Sequence, residues 1–224
     1  MGSNKIRKMK KSKFVHILDS GHSGINPETG EYVTKGKRSP VWSDGSQYFE
    51  GQGNREIAKL VVKQLEELGY DYAFTVDPDD HRDMSLSRRA SKANSIQAIR
   101  PTITWSIHSN GYKKESANGF EVFTSPGQTK SDFIADVLFR EAAKEFRELR
   151  PRKDEKDGDL DKEAKFTILT KTKGRAVLYE SMFHTNEKEC RILMSDSGKQ
   201  RVANVIVRAI IRVEELANSG EIKP

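Results

Sequence analysis

Short apolar runs alternate with longer amphipathic segments along most of this chain, and that alternation restricts the folds open to it. Over residues 54–68 apolar side chains recur at helical spacing, Asn54 is placed to cap the helix, and Gly69 follows its end. Pro101 closes the next helical pattern before another apolar run. The predicted elements are, in order, a strand at residues 14–18, a helix at 54–68, a strand at 72–76, a helix at 86–99 and a strand at 102–108.

The second half of the chain continues this pattern. It predicts a strand at residues 119–123, a helix at 132–149, a buried strand at 176–179 and a final helix over 202–216. Such alternation is typical of a three-layer α/β domain with helices on both faces of a mostly parallel sheet. The highly charged residues 150–165 are expected to form a mobile surface loop. Because no linker rich in Pro, Gly or Ser divides the chain, we expect one domain over residues 14–218 and a tail at 219–224.

The composition narrows the class of protein. Hydrophobic residues make up 35% and charged residues 32%, and no apolar run approaches the roughly 20 residues of a membrane helix. The net charge of +6 favours an anionic partner. Basic residues are interleaved with acidic ones and form no regular platform with aromatic residues, so nucleic acid is not expected. A single cysteine, Cys190, excludes internal disulfides and fits a reducing compartment.

The first thirteen residues are strongly basic. A secretory signal would need a longer apolar region than residues 14–18, and that run leads directly into Asp19. We therefore expect a flexible basic arm at residues 1–13 and no signal peptide. On this interpretation the protein is synthesised in the cytoplasm.

Two histidines lie where predicted strands end. His22 follows the first strand and His108 ends the third. In an open α/β sheet such positions form binding sites, and Gly21 and Gly24 would let the backbone turn sharply around His22. One histidine at a strand end is usually just a hydrogen-bonded polar residue. Together with a carboxylate, however, two can bind Zn²⁺ and leave a coordination position open to water.

The remaining histidines and the cysteine are weaker candidates. His16 alternates with apolar residues inside a strand, and His81 lies in a charged turn, so both are interpreted as structural or surface residues. His184 is close enough in sequence to Glu180 to line the same cleft. Cys190 has charged neighbours, which indicate an exposed position, and no activating base is evident.

Two acidic residues are candidates for the carboxylate ligand. Glu56 falls on the polar face of the first helix, the usual position of a solvated acid. Glu50 precedes that helix, in a predicted loop beside two glycines, and is the preferred ligand. Glu180 follows the apolar run 176–179, where partial burial would raise its pKa towards a value useful for proton transfer. The alternative for Glu180 is an ion pair with a base such as Arg175.

Taken in order, these segments resemble the zinc-dependent N-acetylmuramoyl-L-alanine amidases of the amidase family 3 type. The resemblance runs from about residue 15 to residue 211. It rests on Asp-Ser-Gly-His-Ser-Gly at 19–24, close to the family's Asp-Pro-Gly-His-Gly-Gly; on Glu50 and the helix after it; on Leu86, Arg89, Ala93 and Asn94; on Ser-Ile-His-Ser-Asn at 106–110; and on Glu180 with Phe183 and Asn186. Ser20, Ser23, His184 and Thr185 depart from the family pattern.

The resemblance implies a twisted, mostly parallel six-stranded sheet and one Zn²⁺ per chain on His22, Glu50 and His108. It also implies that Glu180 takes a proton from the attacking water and returns it to the departing amine. Asn110 and His184 are expected to contact substrate. The expected substrate is peptidoglycan, cut at the amide between N-acetylmuramic acid and L-alanine.

Two other functions stay open at this point. Zinc hydrolysis does not by itself specify which amide is cut, so a zinc peptidase acting within the stem peptide is one alternative. A non-catalytic wall-binding module is the other. The expected setting is a phage or prophage endolysin that reaches the cell wall once the membrane has been breached.

Overall fold

A computed structural model describes residues 12–154 and 158–224, and within them the chain forms six strands and six helices. The predicted basic arm falls mostly on residues 1–11, which lie outside the described residues. The elements are β1 (Val15–Ser20), α1 (Glu50–Leu68), β2 (Tyr72–Phe74), α2 (Leu86–Gln97), β3 (Thr102–Asn110), β4 (Glu121–Thr124), α3 (Asp132–Glu145), β5 (Lys162–Glu163), α4 (Thr167–Lys171), β6 (Arg175–Phe183), α5 (Glu187–Met194) and α6 (Asp196–Ser219).

The six strands form one sheet in the order β2-β1-β3-β6-β4-β5. Neighbouring strands are parallel except β4 and β6, which are antiparallel. The carboxyl ends of the three central strands β1, β3 and β6 therefore meet at one edge of the sheet. The predicted six-stranded, mostly parallel sheet is confirmed.

The pleat of the central strands separates two cores. Ile103, Trp105 and Ile107 of β3 belong to the larger core, which α1, α3 and α6 cover. Ala90 of α2 and Ile168 of α4 belong to a smaller core on the opposite face. Because successive side chains on a strand point to opposite faces, the residues between the three apolar ones face this thinner layer. The three-layer architecture is confirmed, and its thinner side leaves room for a cleft.

A buried carboxylate joins the last helix to the first strand. Glu214 of α6 accepts hydrogen bonds from the backbone nitrogens of Lys13 and Phe14, at 2.8 and 3.0 Å, and lies 3.0 Å from Nε2 of His16. The indole nitrogen of Trp105 donates to Nδ1 of His16 at 3.2 Å. His16 is fully buried in this network and is structural, as predicted.

The first helix begins earlier than predicted, at Glu50 instead of Asn54. Asn54 is buried within the helix and donates to the carbonyl of Gly21 at 3.3 Å, so its predicted capping role is wrong. The first turn contains two glycines, which are poor helix formers, so the sequence pattern did not indicate a helix there. Gly51 is needed there because a Cβ atom would lie 1.9 Å from the carbonyl oxygen of Ser23. Glu50 is thus held on a helix and not in a loop.

Two other expectations need correction. The segment predicted to be a surface loop contains β5, and Asp161 is buried within it, accepting from the Thr124 hydroxyl at 2.6 Å. Cys190 was expected to be exposed, yet it lies fully buried in α5, where the indole of Trp42 donates to its sulfur at 3.3 Å. The charged neighbours of Cys190 misled the prediction because only one face of this helix meets solvent. None of the helices in the described residues combines the length and the apolar character needed to cross a membrane.

Candidate active site

The structure brings His22, Glu50 and His108 together at the carboxyl edge of the sheet. Nε2 of His22 lies 3.2 Å and Nδ1 of His108 lies 3.0 Å from Oε1 of Glu50. One ligand atom from each residue lies within 4.8 Å of the other two. The three side chains come from the turn after β1, the first residue of α1 and the end region of β3. Two imidazoles and one carboxylate converging in this way form a suitable site for a divalent metal ion.

His22 has an unusual backbone conformation. Its φ is 65°, the sole positive value for a residue other than glycine among the residues that the structure describes. Such a conformation costs about 1 to 3 kcal/mol and persists only where the surroundings enforce it. Gly21 precedes it because a Cβ atom there would lie 2.2 Å from the His108 ring. The glycine predicted to allow a sharp turn thus also allows the two imidazoles to approach, with ring centroids 4.9 Å apart.

Two buried guanidinium groups hold this turn in place. Arg55 of α1 and Arg89 of α2 each donate to the carbonyl of His22 at 2.9 Å. Arg89 also donates to Asp19 at 3.1 Å and to the carbonyl of Ser20. Both arginines are at most 2% exposed. The strain at His22 is therefore offset by contacts from two helices. The spacing of motif residues in the sequence points to Arg89, whereas Arg55 looks like an ordinary polar residue of a helix and does not stand out.

Asp19 lies near the cluster of His22, Glu50 and His108. Its carboxylate accepts from Ser106 at 2.6 Å, from Thr75 and from Arg89. Although burial raises its pKa, the charge of Arg89 and the two hydroxyl hydrogen bonds lower the pKa more strongly. Asp19 therefore stays ionised and fixes the carboxyl ends of β1 and β3 relative to α2.

The charges of the three clustered residues suit metal binding. Burial raises the pKa of Glu50, but the hydrogen bond from His108 and the close approach and charge of both histidines bring it well below its usual value, so Glu50 is ionised. Burial lowers the pKa of His22 below 6.5, which keeps this imidazole neutral. Burial also acts to lower the pKa of His108, but the hydrogen bond and charge of Glu50 raise it. The raised pKa favours a proton on His108. A bound cation would take the place of that proton, because histidine binds a metal in its neutral form.

Glu180 lies beside this cluster on the neighbouring strand. It pairs with His108 in the register of β3 and β6. Burial raises its pKa to about 7, opposed by the charge of His108. Glu180 was predicted at the end of a strand, whereas β6 continues to Phe183. Its proposed alternative partner, Arg175, instead lies at the opposite end of the same strand.

Three buried atoms of the site have no hydrogen-bond partner among the described residues: Nε2 of His22, Oε2 of Glu50 and Oε2 of Glu180. Leaving a buried polar or charged atom unpaired costs about 1 to 3 kcal/mol or more. A cation coordinated by the first two, with a water between it and Glu180, would satisfy all three. The residues present therefore fit a bound metal ion.

The two residues expected to contact substrate lie at the rim. The amide of Asn110 donates to Glu121 at 3.2 Å and accepts from the backbone of Gly111 at 2.8 Å. His184 is 3% exposed, and its Nδ1 lies 3.0 Å from the hydroxyl of Ser109. Both line a recess that also includes Glu180. Their side chains are largely engaged within the protein, so the surfaces they offer to a ligand are small.

Two further candidate residues, Glu56 and His81, lie away from the cluster. Glu56 accepts from Lys199 at 2.7 Å and from Gln52 at 2.9 Å on the surface of α1, so it is a solvated acid as predicted. Among the described residues, the hydrogen bond of His81 is made by its backbone carbonyl, which accepts from the backbone nitrogen of Gly24 at 2.8 Å. Neither belongs to the three-residue cluster.

Solved structures show the same fold. An N-acetylmuramyl-L-alanine amidase of Mycobacterium smegmatis, Ami1, has a TM-score of 0.73 and 23% identity, over 91% of this chain and 98% of that one. An N-acetylmuramoyl-L-alanine amidase of Clostridium difficile 630 has a TM-score of 0.72 and 23% identity, over 92% and 98%. The catalytic domain of the CD27L endolysin, which targets Clostridia difficile, has a TM-score of 0.63 and 18% identity, over 89% and 97%.

The family assignment rests on the sequence match. None of the curated protein sequences matches the chain. A family model for N-acetylmuramoyl-L-alanine amidases matches residues 17–212, which include all of the clustered residues and Glu180. The chain therefore belongs to the N-acetylmuramoyl-L-alanine amidase family, whose members cleave peptidoglycan between the sugar and the peptide.

Proposed function

We propose that one Zn²⁺ per chain, held by His22, Glu50 and His108, and the carboxylate of Glu180 together carry out the amide hydrolysis of this family. The observation that carries the proposal is the set of unpartnered, buried atoms on His22, Glu50 and Glu180. Zn²⁺ is the preferred metal because it binds two imidazoles and one carboxylate in hydrolases and keeps a position open. When bound, it polarises the amide carbonyl and makes water a stronger acid.

Glu180 moves the proton in this scheme. Its carboxylate accepts a proton from the attacking water while the new C–O bond forms at the lactyl carbonyl carbon. The C–N bond then breaks, and Glu180 passes the proton to the nitrogen of L-alanine. The products are a lactyl carboxyl group on the sugar, which then loses its proton to solvent, and a free amine on the peptide. A pKa of about 7 suits both transfers because a group that must accept and then donate works best near the operating pH.

Arg55 and Arg89 act through His22 and not on the substrate. By binding the His22 carbonyl, they fix the strained turn that aims the imidazole at Glu50. Asn110 and His184 would contact the peptide part of the substrate from the rim.

The metal assignment is tested by elemental analysis of purified variants. His22→Ala and His108→Ala should each lower zinc from about one ion per chain to a small fraction, because each removes one of three protein ligands. Glu56→Ala is the matched control, since this acid lies on the same helix as Glu50 but outside the cluster. Full zinc occupancy in either histidine variant would refute the ligand set.

The bond that is cut is tested by mass spectrometry of digested peptidoglycan. The amidase should release intact stem peptides that begin with a free L-alanine amine. A zinc peptidase would instead give shortened stem peptides still attached to the sugar. Binding to insoluble peptidoglycan without any released fragment would indicate a wall-binding module.

The biological setting we propose is bacterial lysis by a phage or prophage endolysin. The net charge of +6 favours approach to anionic wall polymers. Produced inside a sensitive bacterium, the wild-type protein should lyse the cell only after the membrane is permeabilised, and Glu180→Gln should not lyse it at all. Lysis without permeabilisation would contradict this setting.

A further inference from the structure

The active site lies at the junction of two parts of a longer groove. One part has a volume of about 640 Å³ and is here called the apolar lobe after its wall of Met84, Leu86 and Phe166. It also contains the histidines of the cluster and charged residues that include Lys37 and Lys165. The second part is a recess that starts at Glu180, and Glu180 and Lys37 line both parts. A substrate that spans Glu180 can therefore extend into both parts.

The recess continues away from the site as one basic path, here called the cationic arm and defined by Lys37, Lys113, Lys114 and Arg152. The first two line the recess of about 340 Å³ beside Glu180. The last two line a further pocket of about 340 Å³, and the two pockets share Asn110 and Tyr112. Both pockets therefore lie end to end along the loop that follows β3.

Three of the four positive charges of the cationic arm are not neutralised by an ion pair. Lys37, Lys113 and Lys114 form no ion pair with any described residue, and Lys113 and Lys114 are exposed. The arm's buried acid, Glu121, contacts two bases, Arg152 and Lys162, both at 2.5 Å. The cations thus outnumber the carboxylates, and the arm favours an anionic ligand.

The apolar lobe has a different character. Leu86 is 53% and Phe166 is 41% exposed, although both are apolar. The Phe166 ring packs edge-on against Phe123 at this wall, with centroids 5.4 Å apart. An exposed apolar wall suits the uncharged sugar rings of a glycan better than it suits carboxylates.

We propose that the cationic arm is the stem-peptide subsite and that Lys113 and Lys114 recognise the free α-carboxylate of the D-glutamate residue that follows L-alanine. The glycan then occupies the apolar lobe. This inference rests on the proposed amide hydrolysis, because it assigns a direction to the substrate across Glu180. It names a substrate preference: stem peptides with a free carboxylate at the second position over those in which it is amidated.

The test compares two muramoyl peptides that differ only in whether this α-carboxyl is free or amidated. Wild-type kcat/KM should be about five- to twentyfold higher for the free acid, the range expected for two partly exposed charge pairs. K113A/K114A should remove this preference by raising KM for the free acid, with kcat unchanged. K113E/K114E should reverse it. K63A/K92A, which removes two exposed lysines of α1 and α2 outside the groove, is the matched control and should keep the preference.

The outcomes separate the two proposals. Equal kcat/KM for both substrates in the wild-type enzyme, or an unchanged preference in K113A/K114A, would overturn the inference while leaving amide hydrolysis in place. Failure of the wild-type enzyme to release a free L-alanine amine from either substrate would contradict the proposed function itself.

Discussion

Gly21→Ala is predicted to damage metal binding without removing any ligand. The added Cβ atom would lie 2.2 Å from Cε1 of His108, 2.5 Å from its Nε2 and 2.6 Å from its Nδ1. Ordinary contacts begin at 3.4 Å, so the imidazole must retreat by about 1.2 Å. That movement changes the position of Nδ1 of His108 relative to Oε1 of Glu50, from which it now lies 3.0 Å.

The expected loss follows from this displacement. A shift of about 1 Å in an active site costs on the order of 10²-fold in rate. Loss of the contacts that orient a metal ligand costs about 10- to 100-fold in metal affinity. We therefore expect zinc affinity and kcat/KM both to fall by about two orders of magnitude. Overpacking should lower the free energy of unfolding by only about 1 to 3 kcal/mol, so the variant still folds.

The assay is competition for zinc with a chromophoric chelator, alongside urea unfolding. Gly30→Ala is the control: its φ is also unfavourable for alanine, at +70°, but no atom lies within 4 Å of the added methyl group. It should lose about 1 to 2 kcal/mol of stability and bind zinc normally. Wild-type zinc affinity in Gly21→Ala would refute the argument that the glycine exists to admit the His108 ring.

Two further predictions concern the buried polar networks. Arg89→Met leaves Asp19 as an unpaired buried charge and should lower the free energy of unfolding by about 3 to 5 kcal/mol, measured by urea denaturation. Burial lowers the pKa of His16 below 6.5, so only the unfolded state gains a proton as pH falls through 6.5, and stability should fall by up to about 1.4 kcal/mol per pH unit. His16→Gln should flatten this dependence, and an equally steep fall in the variant would contradict it.

Most of the architecture could be predicted because the spacing of apolar residues along the chain shows which face of each helix or strand is buried. The apolar stripe of α6 and the alternation in β3 each show which face meets a core, and both elements lie close to where the sequence places them. The start of α1 could not be predicted in the same way. Its first turn contains two glycines that allow close contacts, Gly51 with the Ser23 backbone and Gly53 with the Tyr48 side chain, so intrinsic helix propensity gives the wrong boundary there.

The site was predictable where a residue type is chemically unusual for its position. Histidines at strand ends and an acid after an apolar run stand out in a sequence, whereas Arg55 does not. Its guanidinium is buried and donates to four backbone carbonyls from three segments, a role that depends on tertiary placement alone. The burial of Asp161 could not be predicted for the same reason, since its carboxylate is paired with the hydroxyl of Thr124 on a neighbouring strand.

In the proposed mechanism, Glu180 moves the proton at a metal site that other residues build. The most direct measurement is product formation from peptidoglycan by Glu180→Gln protein whose zinc content is determined in the same sample. We predict about one zinc per chain and a loss of free L-alanine amine release of at least about 10²-fold. Wild-type release by a zinc-loaded Glu180→Gln protein would contradict it.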